Sequence, residues 1–573
     1  MLSNIEKIND NFKLPIYYDK NKENLNLTII KDLELNETYD ISGTPIYNHI
    51  FNTKTIFGEK VIKQYPELYT TNKNYLKDTQ NLLKKYIPEE NLDDYKELYK
   101  EVLTLWDDIK NDNNFKDKYH YLEWKLSFCE SLNTNPEFLQ VLSMYNLSSP
   151  IISLLMPVFV LIIPFFIIQI KGLDLTFSQY IDILKVYARN NAIGQLFTQY
   201  NSVSSDKKVY LLLSSFFYVF SIYQNVLTCI KYNKNMIRIH EYFHKIQTYI
   251  EHTENNVTNL LSYTKSCKTY KKFNLKTTNQ IKILSDLKNN ISLITPYNIS
   301  ISKFYQLGTI MKYFYILYKS EEINKAMLWS FGFNGYIDTL EGLISNIKNK
   351  NISFCKFEKK QNLFKNAYYP ALMREKHICN DIDLNKNLVI TGPNASGKTT
   401  ILKTALINVI FSQQLGCGFY SYGNLIPFKY IHCYLNIPDT SGRDSLFQAE
   451  ARRCKDILDV IHDKKNDTHF CVFDELYSGT NPEEAVNSAY SFMKYLGKYE
   501  KINCILTTHF YDLCKKLDLL DLFLNCHMDT IENENEPQQF QYTYKLKDGI
   551  SKVKGGMKVL RDMDYPNEII NQL

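Results

Sequence analysis

Two long uncharged runs interrupt a chain that is otherwise polar and rich in lysine. The first run, residues 150–170 (PIISLLMPVFVLIIPFFIIQI), is strongly apolar, whereas the second, residues 209–230, is diluted by Ser, Gln, Asn and Thr. Each exceeds the roughly 18 residues that make a transmembrane helix candidate. The pattern favours a membrane hairpin over the alternatives, which are a pair of buried helices or a sticky surface for a partner.

Basic residues flank both runs. Lys231, Lys234 and Arg238 follow the second run and favour keeping that side in the cytosol, but the connecting segment 171–208 is basic as well. The charges therefore fit a hairpin whose two flanks lie on one side, and they do not by themselves settle which side that is.

From residue 388 the pattern changes to short apolar runs that each end in a polar motif. Residues 388–390 lead into G-x-x-x-x-G-K-T and then into an apolar-periodic helix, which is a strand, phosphate-binding loop and helix unit. Gly392 and Gly397 would let the backbone wrap the phosphates of a nucleotide. Lys398 would neutralise the β- and γ-phosphates, and the Thr399 hydroxyl would bind Mg²⁺. The candidate nucleotide-binding residues are Gly392, Pro393, Asn394, Ala395, Ser396, Gly397, Lys398, Thr399 and Thr400.

Two later runs add candidate catalytic residues. Residues 470–473 end in Asp474 and Glu475, the order expected of a Walker B strand, in which Asp474 would hold the magnesium and Glu475 would act as general base. A third run ends just before His509, where an imidazole could sense or polarise the γ-phosphate. The sequence therefore predicts ATP and Mg²⁺ as ligands of an ATPase.

The segments GPNASGKTT, GRDSLFQAEARRCKDIL, DELYSGTN and TTHFYDL together resemble the ATPase domain of the MutS family, an ABC-type ATPase related to DNA mismatch repair. Ser445, Phe447 and Glu450 look like the family's S-x-F-x-x-E element, and they distinguish this domain from transporters with an L-S-G-G-Q signature. The resemblance implies that Ser445 reaches the γ-phosphate bound by a partner subunit, so that the site is composite and the protein forms a homodimer or heterodimer. Tyr544 would lie beside the adenine.

The resemblance extends to residues near 50. Asn52-Thr53-Lys54-Thr55 followed by Phe57-Gly58 is similar to the opening of the MutS core domain, so we expect no mismatch-reading or connector domain before it. Phe57-Gly58-Glu59 also spells the F-x-E motif of mismatch readers, but its place inside the core run argues against a base-contacting wedge.

Composition narrows the class of protein. A length of 573 residues predicts two to four modules, and a net charge of +5 neither demands nor forbids a nucleic-acid partner. The 12 cysteines include no C-x-x-C pair, which indicates reduced thiols, and the N-terminal residues lack the apolar core of a secretory signal. We therefore expect an intracellular protein, cytoplasmic or nuclear, with membrane association left open.

A rival motif directly follows the second apolar run. His240-Glu241-Tyr242-Phe243-His244 matches H-E-x-x-H, which places two imidazoles on one helical face and would suggest a membrane zinc protease. No third ligand is recognisable nearby, so a pair of helical surface histidines is the favoured interpretation.

The expected fold is mixed: an α-helical core and lever region followed by an α/β ABC-type P-loop ATPase domain. We divide the chain into a short segment at 1–44, the helical region at 45–350 and the ATPase domain at 351–573. The expected function is a MutS-like, ATP-driven clamp or switch that binds DNA in mismatch repair or recombination. The alternative is a membrane-anchored ATPase of MutS ancestry with a membrane or protein partner.

Overall fold

The computed structural model describes most of the chain as two compact units. The first joins Met1–Tyr99, Thr253–Lys282 and Ala326–Leu573, and the second joins Lys100–His252 and Ile283–Lys325. The described residues are 4–40, 42–88, 92–119, 123–172, 176–190, 194–196, 201–202, 204–297, 305–358, 361–375, 377–435, 445–533, 536–553, 560–561 and 563–566. The division at residues 44 and 350 follows chain order, and it stays a prediction beside these contact-based units.

Helices make up most of the region before residue 350, in agreement with the expected fold class. The α-helices of that region are α1 (Ile8–Asn11), α2 (Leu27–Asp32), α3 (Ile46–Phe51), α4 (Ile56–Ile62), α5 (Lys73–Lys85), α6 (Lys96–Lys110), α7 (Asp112–Tyr119), α8 (Pro136–Ile170), α9 (Phe177–Asn190), α10 (Ser205–Thr264), α11 (Lys271–Ser292), α12 (Leu307–Lys319) and α13 (Glu321–Lys348). Short 3-10 helices cover Pro15–Tyr18, Tyr65–Glu67, Leu92–Tyr95, Glu130–Asn133 and Lys268–Tyr270. Each of the four boundaries between the two units falls within a helix, namely α6, α10, α11 and α13.

The C-terminal region alternates strands with helices. Its strands are β3 (Ser353–Lys356), β4 (Leu363–Ala367), β5 (Asn380–Asp383), β6 (Asn387–Thr391), β7 (Cys417–Gly418), β8 (Tyr422–Asn424), β9 (Tyr430–Tyr434), β10 (His469–Asp474), β11 (Ile502–Thr508), β12 (Phe523–Asn533) and β13 (Glu536–Asp548), after the earlier pair β1 (Lys22–Asn24) and β2 (Leu68–Thr70). Its helices are α14 (Lys398–Leu415), α15 (Leu446–Asp463), α16 (Pro482–Leu496), α17 (Tyr511–Asp518) and the 3-10 helix Pro370–Leu372.

A six-stranded sheet orders the candidate chemistry. Its strand order is β13-β12-β6-β11-β10-β9, with every neighbouring pair parallel except β12 and β13. Residues 388–390 and 470–473 are almost completely buried, as expected of strands that are covered on both faces. Because parallel strands end at the same edge of a sheet, the loops after β6, β10 and β11 lie side by side.

Two further sheets complete the first unit. A five-stranded sheet has the order β5-β4-β8-β3-β7, in which only β3 and β8 pair in parallel. The strands β1 and β2 form an antiparallel pair in the N-terminal segment. This segment therefore folds as part of the first unit and not as an appendage.

Helix α14 links the six-stranded sheet to the N-terminal core through buried amides. The Gln414 side-chain amide donates to the carbonyls of Tyr65 (2.8 Å) and Leu68 (3.0 Å), and its oxygen accepts the Tyr47 hydroxyl (2.5 Å). The neighbouring Gln413 amide donates to the carbonyl of Phe428 (2.7 Å). Buried amides that lost these partners would remain unpaired, so the C-terminal turn of α14 is fixed to the chain before residue 70.

The core-opening motif begins helix α4 against a buried carboxylate on α13. Asp338 accepts hydrogen bonds from the backbone of Lys54 (3.1 Å) and Thr55 (2.8 Å) and from the Thr55 hydroxyl (2.7 Å). Thr55 in turn caps α4 by accepting from the backbone of Gly58 (3.0 Å). A Cβ on Gly58 would lie 2.2 Å from a carboxylate oxygen of Asp338, so glycine is required there.

Phe57 belongs to this same packing. It is fully buried, and its ring stacks on Phe331 with the centroids 4.7 Å apart. This position confirms that the F-x-E match at residues 57–59 is a core feature and not an exposed wedge.

The second unit contains the two apolar runs. The first turns of α8 pack on α12, where the backbone N–H of Gly308 donates to Gln140 (2.8 Å). By length and composition, Pro136–Met156 and Ser205–Thr264 are candidate membrane spans, each with a mean hydropathy of 1.3 in its most apolar window. Only 11% and 6% of those windows are buried, so neither behaves as the core helix of a globular protein.

Substituting Asp338 by Ala should destabilise the first unit. The change leaves two backbone N–H groups and a hydroxyl without their acceptor in a buried position, so we expect the free energy of unfolding to fall by about 2–4 kcal/mol. Denaturant unfolding of the purified chain measures this. The exposed Asp94→Ala is the matched control and should change the value by less than ~0.5 kcal/mol. Equal effects of the two substitutions would show that Asp338 does not anchor α4.

Candidate active site

The loop between β6 and α14 has the backbone geometry of a phosphate-binding loop. Gly397, the residue before α14, has a φ of +96°, a conformation that L side chains rarely adopt. A Cβ at this position would also lie 3.2 Å from the ring of Tyr544. Both the turn and the close approach of β13 therefore require glycine at residue 397.

Lys398 begins α14 and reaches back across the loop. Its ammonium group donates to the carbonyl oxygens of Gly392 (3.0 Å) and Pro393 (3.2 Å) and lies 3.7 Å from Oε1 of Glu475. Burial lowers the pKa of Lys398 from its ordinary value, and Glu475 and Asp474 partly oppose this shift. The loop thus holds a buried cation at the N-terminus of a helix, an arrangement suited to a polyanion.

Asp474 at the end of β10 lies between two hydroxyl groups. Thr399 donates to its Oδ2 (2.9 Å), and Thr507 of the neighbouring strand β11 donates to its Oδ1. A carboxylate next to a threonine hydroxyl is an oxygen-donor set of the kind that Mg²⁺ prefers. The residues that the sequence assigned to the metal, Thr399 and Asp474, are therefore in direct contact and fit that ion.

Glu475 is held apart from its strand by its backbone. Its φ is +49°, and its N–H donates to the carbonyl of Thr507 (3.0 Å) while its side chain leaves the sheet. Oε1 of Glu475 lies 3.7 Å from Nδ1 of His509. The His509 hydrogen bond, followed by Lys398, lowers the pKa of this carboxyl, although burial opposes the shift. Glu475 is thus an ionised base between two groups that the sequence also singled out.

A pocket of about 700 Å³ opens over the loop. Seven of the candidate site residues line it: Asn394, Ala395, Gly397, Lys398, Thr399, Thr400 and Glu475. Gly392, Pro393 and Ser396 form the loop behind it, and Asp474 and His509 lie next to its lining residues. The Ser396 hydroxyl is buried without a hydrogen-bond partner. Tyr544 lines the pocket, as expected of an adenine neighbour.

The other wall of the pocket was not found from sequence. It is formed by Ala367, Tyr369, Leu372, Glu375, His377, Ile378, Asn380, Ile401, Thr404 and Met528. Most of these residues belong to the segment between β4 and β5, which carries no motif. Its one signal is that it directly precedes the phosphate-binding unit in the chain.

Ser445 does not line the pocket of its own chain. Its hydroxyl caps α15 by accepting from the backbone of Gln448 (3.3 Å), and the Gln448 side chain accepts from the backbone of Ser445 (3.0 Å). Glu450 is buried one turn later and accepts from the Ser478 hydroxyl (3.1 Å) and the Gly479 N–H (3.2 Å). The S-x-F-x-x-E helix is thereby tied to the loop that follows Glu475.

The rival H-E-x-x-H motif does not form a metal site in the part of the chain that the structure describes. His240 is buried, its Nδ1 lies 2.7 Å from the carbonyl of Met236, and its ring packs on Tyr297. His244 is exposed one turn later on the same helix. Among the described residues no group of three or more His, Cys, Asp or Glu side chains could hold a metal ion, so the protease interpretation lacks a ligand set.

The buried parallel sheet, the phosphate-binding loop and the facing acidic strand end define a nucleotide-binding α/β domain. Residues 388–573 match the family model of MutS domain V. The chain is 28% identical over 223 residues to MutS protein homolog 4 of Mus musculus and 32% identical over 212 residues to the DNA mismatch repair protein Msh3 of Dictyostelium discoideum. It is 27% identical over 223 residues to endonuclease MutS2 of Staphylococcus aureus. The chain is a divergent member of the MutS family, recognised through this domain.

The similarity to these relatives is confined to one part of each protein. The matches cover 36%, 34% and 36% of this chain and 22%, 14% and 26% of the relatives. The chain therefore spans about a quarter or less of the length of the curated relatives it matches.

Substituting Lys398 by Ala should weaken nucleotide binding by ~100-fold or more, because the pocket loses its buried cation. Equilibrium titration with a fluorescent ATP analogue measures this. Lys386, an exposed lysine just before β6, provides the matched control, and Lys386→Ala should leave the affinity unchanged. Unchanged affinity in Lys398→Ala would place the nucleotide elsewhere.

Proposed function

We propose that this chain is a MutS-like, ABC-type P-loop ATPase that uses ATP and Mg²⁺ to drive a clamp or switch on DNA in mismatch repair or recombination. The observation that carries the proposal is the meeting of Lys398, Glu475 and His509 within 3.7 Å steps at the edge of a nucleotide-sized pocket. The functional division is the one that the sequence predicts, with the ATPase domain at 351–573.

In this proposal the phosphates lie along the backbone of residues 392–400 and the purine lies toward the apolar wall. Leu372, Ile378 and Met528 with Tyr544 provide that wall. Lys398 exchanges its backbone carbonyl partners for the β- and γ-phosphates. Binding therefore replaces one set of buried hydrogen bonds by a stronger, charge-assisted set.

Thr399 and Asp474 would hold Mg²⁺, which neutralises the charge on the phosphates. Glu475 accepts the proton of the attacking water, and its lowered pKa keeps the carboxylate ionised at neutral pH. His509 orients Glu475 and couples it to the end of β11. These roles assign one step of hydrolysis to each of the clustered side chains.

Ser445 would complete the site of a partner subunit in a homodimer or heterodimer. Two features support this role: Ser445 lies outside the pocket of its own chain, and its helix N-terminus is a ready anion site. Glu450 connects this helix to Ser478 and Gly479, three and four residues after Glu475. Closure of the dimer and the position of the catalytic base are then mechanically linked.

Helix α14 would transmit the nucleotide state to the helical region. Lys398 at its first residue contacts the phosphates, and Gln413 and Gln414 in its last turn hold the N-terminal core. The four helices that cross between the units provide continuous elements for a further movement. ATP binding would close the dimer and hydrolysis would reopen it.

DNA is the first candidate for what the switch acts on. Five lysines between residues 265 and 276 are exposed in the first unit and offer contacts to a phosphate backbone: Lys265, Lys268, Lys271, Lys272 and Lys276. The printed names of the relatives associate this domain with mismatch repair. An intracellular location, cytoplasmic or nuclear, fits this role. The exposed apolar helices of the second unit favour the second candidate, a membrane-anchored ATPase of the same ancestry.

Substituting Glu475 by Gln should separate binding from hydrolysis. Loss of the base should lower the hydrolysis rate by about 100-fold or more while ATP stays bound. The trapped state should be retained on duplex or branched DNA more strongly than the nucleotide-free protein, as measured by filter binding at several salt concentrations. Lys398→Ala, which should not bind ATP, is the control. If ATP does not increase DNA retention in Glu475→Gln, the DNA clamp is excluded and the second candidate stands.

Mixing two inactive variants tests whether Ser445 acts on the partner's nucleotide. Lys398→Ala and Ser445→Ala should each hydrolyse ATP poorly alone. Their mixture should recover about a quarter of the wild-type rate, because half of randomly mixed dimers are heterodimers and each has one intact site. Gln448→Ala, which weakens the same helix cap but keeps the hydroxyl, controls for destabilisation of α15. A mixture as inactive as its components would refute a composite site in a homodimer.

A further inference from the structure

We infer that the outer parts of α8 and α10 form a hairpin that is embedded in a lipid bilayer, so that this ATPase works at a membrane surface. The inference concerns the second unit and does not rest on the proposed ATPase chemistry. It commits to lipid as the occupant of an apolar surface that no part of the described chain covers.

The apolar surface surrounds both helices. The exposed large apolar side chains of α8 in this region are Ile151, Ile152, Leu154, Leu155, Met156, Phe159, Ile162, Ile163, Phe166, Ile167 and Ile170. Those of α10 are Val209, Tyr210, Leu212, Leu213, Phe216, Phe217, Val219, Phe220, Tyr223, Val226 and Ile230. At 3.6 residues per turn these positions occupy more than half of the circumference of each helix. A docking surface for a protein is normally one-sided, whereas lipid contacts a helix pair from all outer directions.

Polar groups of the hairpin face the seam between the helices. The Tyr218 hydroxyl donates to the carbonyl of Ser153 (3.2 Å), and the Asn225 amide donates to the Ser153 hydroxyl. Toward the base, the Cys229 thiol donates to the carbonyl of Leu147 (3.8 Å). These pairs make the helices antiparallel neighbours, and they satisfy their polar groups internally, as hydrocarbon surroundings require.

The dimensions of the apolar band match a bilayer. Residues 151–170 rise about 30 Å at 1.5 Å per residue, and a hydrocarbon core is about 30 Å thick. Residues 150–170 and 209–230 contain no charged side chain, and charge begins directly beyond them. Lys231 and Lys234 are exposed at one end, and Lys171 and Lys207 are exposed at the other. Cations at both ends of an uncharged band suit the two headgroup layers.

Two common sources of such helices are excluded by their position. A core helix of a globular protein would be mostly buried, but only 11% and 6% of the apolar windows are buried. A cleaved secretory signal would lie near the N-terminus, whereas these helices begin at Pro136 and Ser205. Because the base of α8 packs on α12 by the Gly308 contact, the hairpin projects from a folded element of its own unit.

The test uses the full-length chain, purified in detergent and reconstituted with phosphatidylcholine vesicles by detergent removal. The wild type should float with the vesicles and stay with them after washes with 1 M NaCl and with carbonate at pH 11. The double variant Ile163→Asp/Phe217→Asp places a charge in the middle of each helix at exposed positions, so the fold of the unit is preserved. We expect at least a tenfold loss of the wash-resistant fraction in this variant.

The matched control, Leu275→Asp/Leu519→Asp, changes two exposed apolar residues outside the hairpin and should float like the wild type. ATP binding is measured in every preparation, and it should be equal in all of them. A wild type that remains soluble and monodisperse after detergent removal without vesicles would overturn the inference. So would self-association that the hairpin variant abolishes, because the occupant would then be a second copy of the chain. Flotation without ATP binding would refute the proposed function and leave the hairpin intact.

Discussion

The structure depends on helix α14, which is anchored at both ends by buried polar groups. At its first residue the Lys398 ammonium lies against the loop carbonyls and Glu475. In its last turn the Gln414 amide is hydrogen-bonded to the chain between residues 65 and 68. Neither end can move without leaving buried groups unpaired, so the helix behaves as a rigid connection. A change in the charge around Lys398 is therefore mechanically coupled to the N-terminal core.

The same principle places the rest of the chemistry. Each candidate side chain of the site follows a buried parallel strand, and the parallel sheet brings those strand ends to one edge. Glu450 extends the connection from the S-x-F-x-x-E helix to the loop after Glu475. The second unit adds a surface of a different kind, an apolar helix pair whose polar groups are satisfied within the pair. Nucleotide chemistry and membrane attachment are thus assigned to different units.

Local sequence order predicted the half of the site that is local in structure. Gly397, Lys398, Asp474 and Glu475 follow apolar runs directly, so a motif and a strand period suffice to find them. The wall between β4 and β5 escaped because its residues reach the pocket only through sheet pairing. The buried acceptor Asp338 escaped for the same reason, since it lies 283 residues from its partner Thr55. H-E-x-x-H misled in the opposite way, because local spacing cannot show that His240 is buried and His244 exposed.

The central claim is that nucleotide at Lys398 controls association of two chains through their ATPase domains. Sedimentation velocity of the wild-type chain in detergent, with and without MgATP, tests this claim most directly. The account predicts a shift from monomer to dimer when MgATP is added and a return to monomer as it is hydrolysed. A particle mass that is independent of nucleotide would contradict the account.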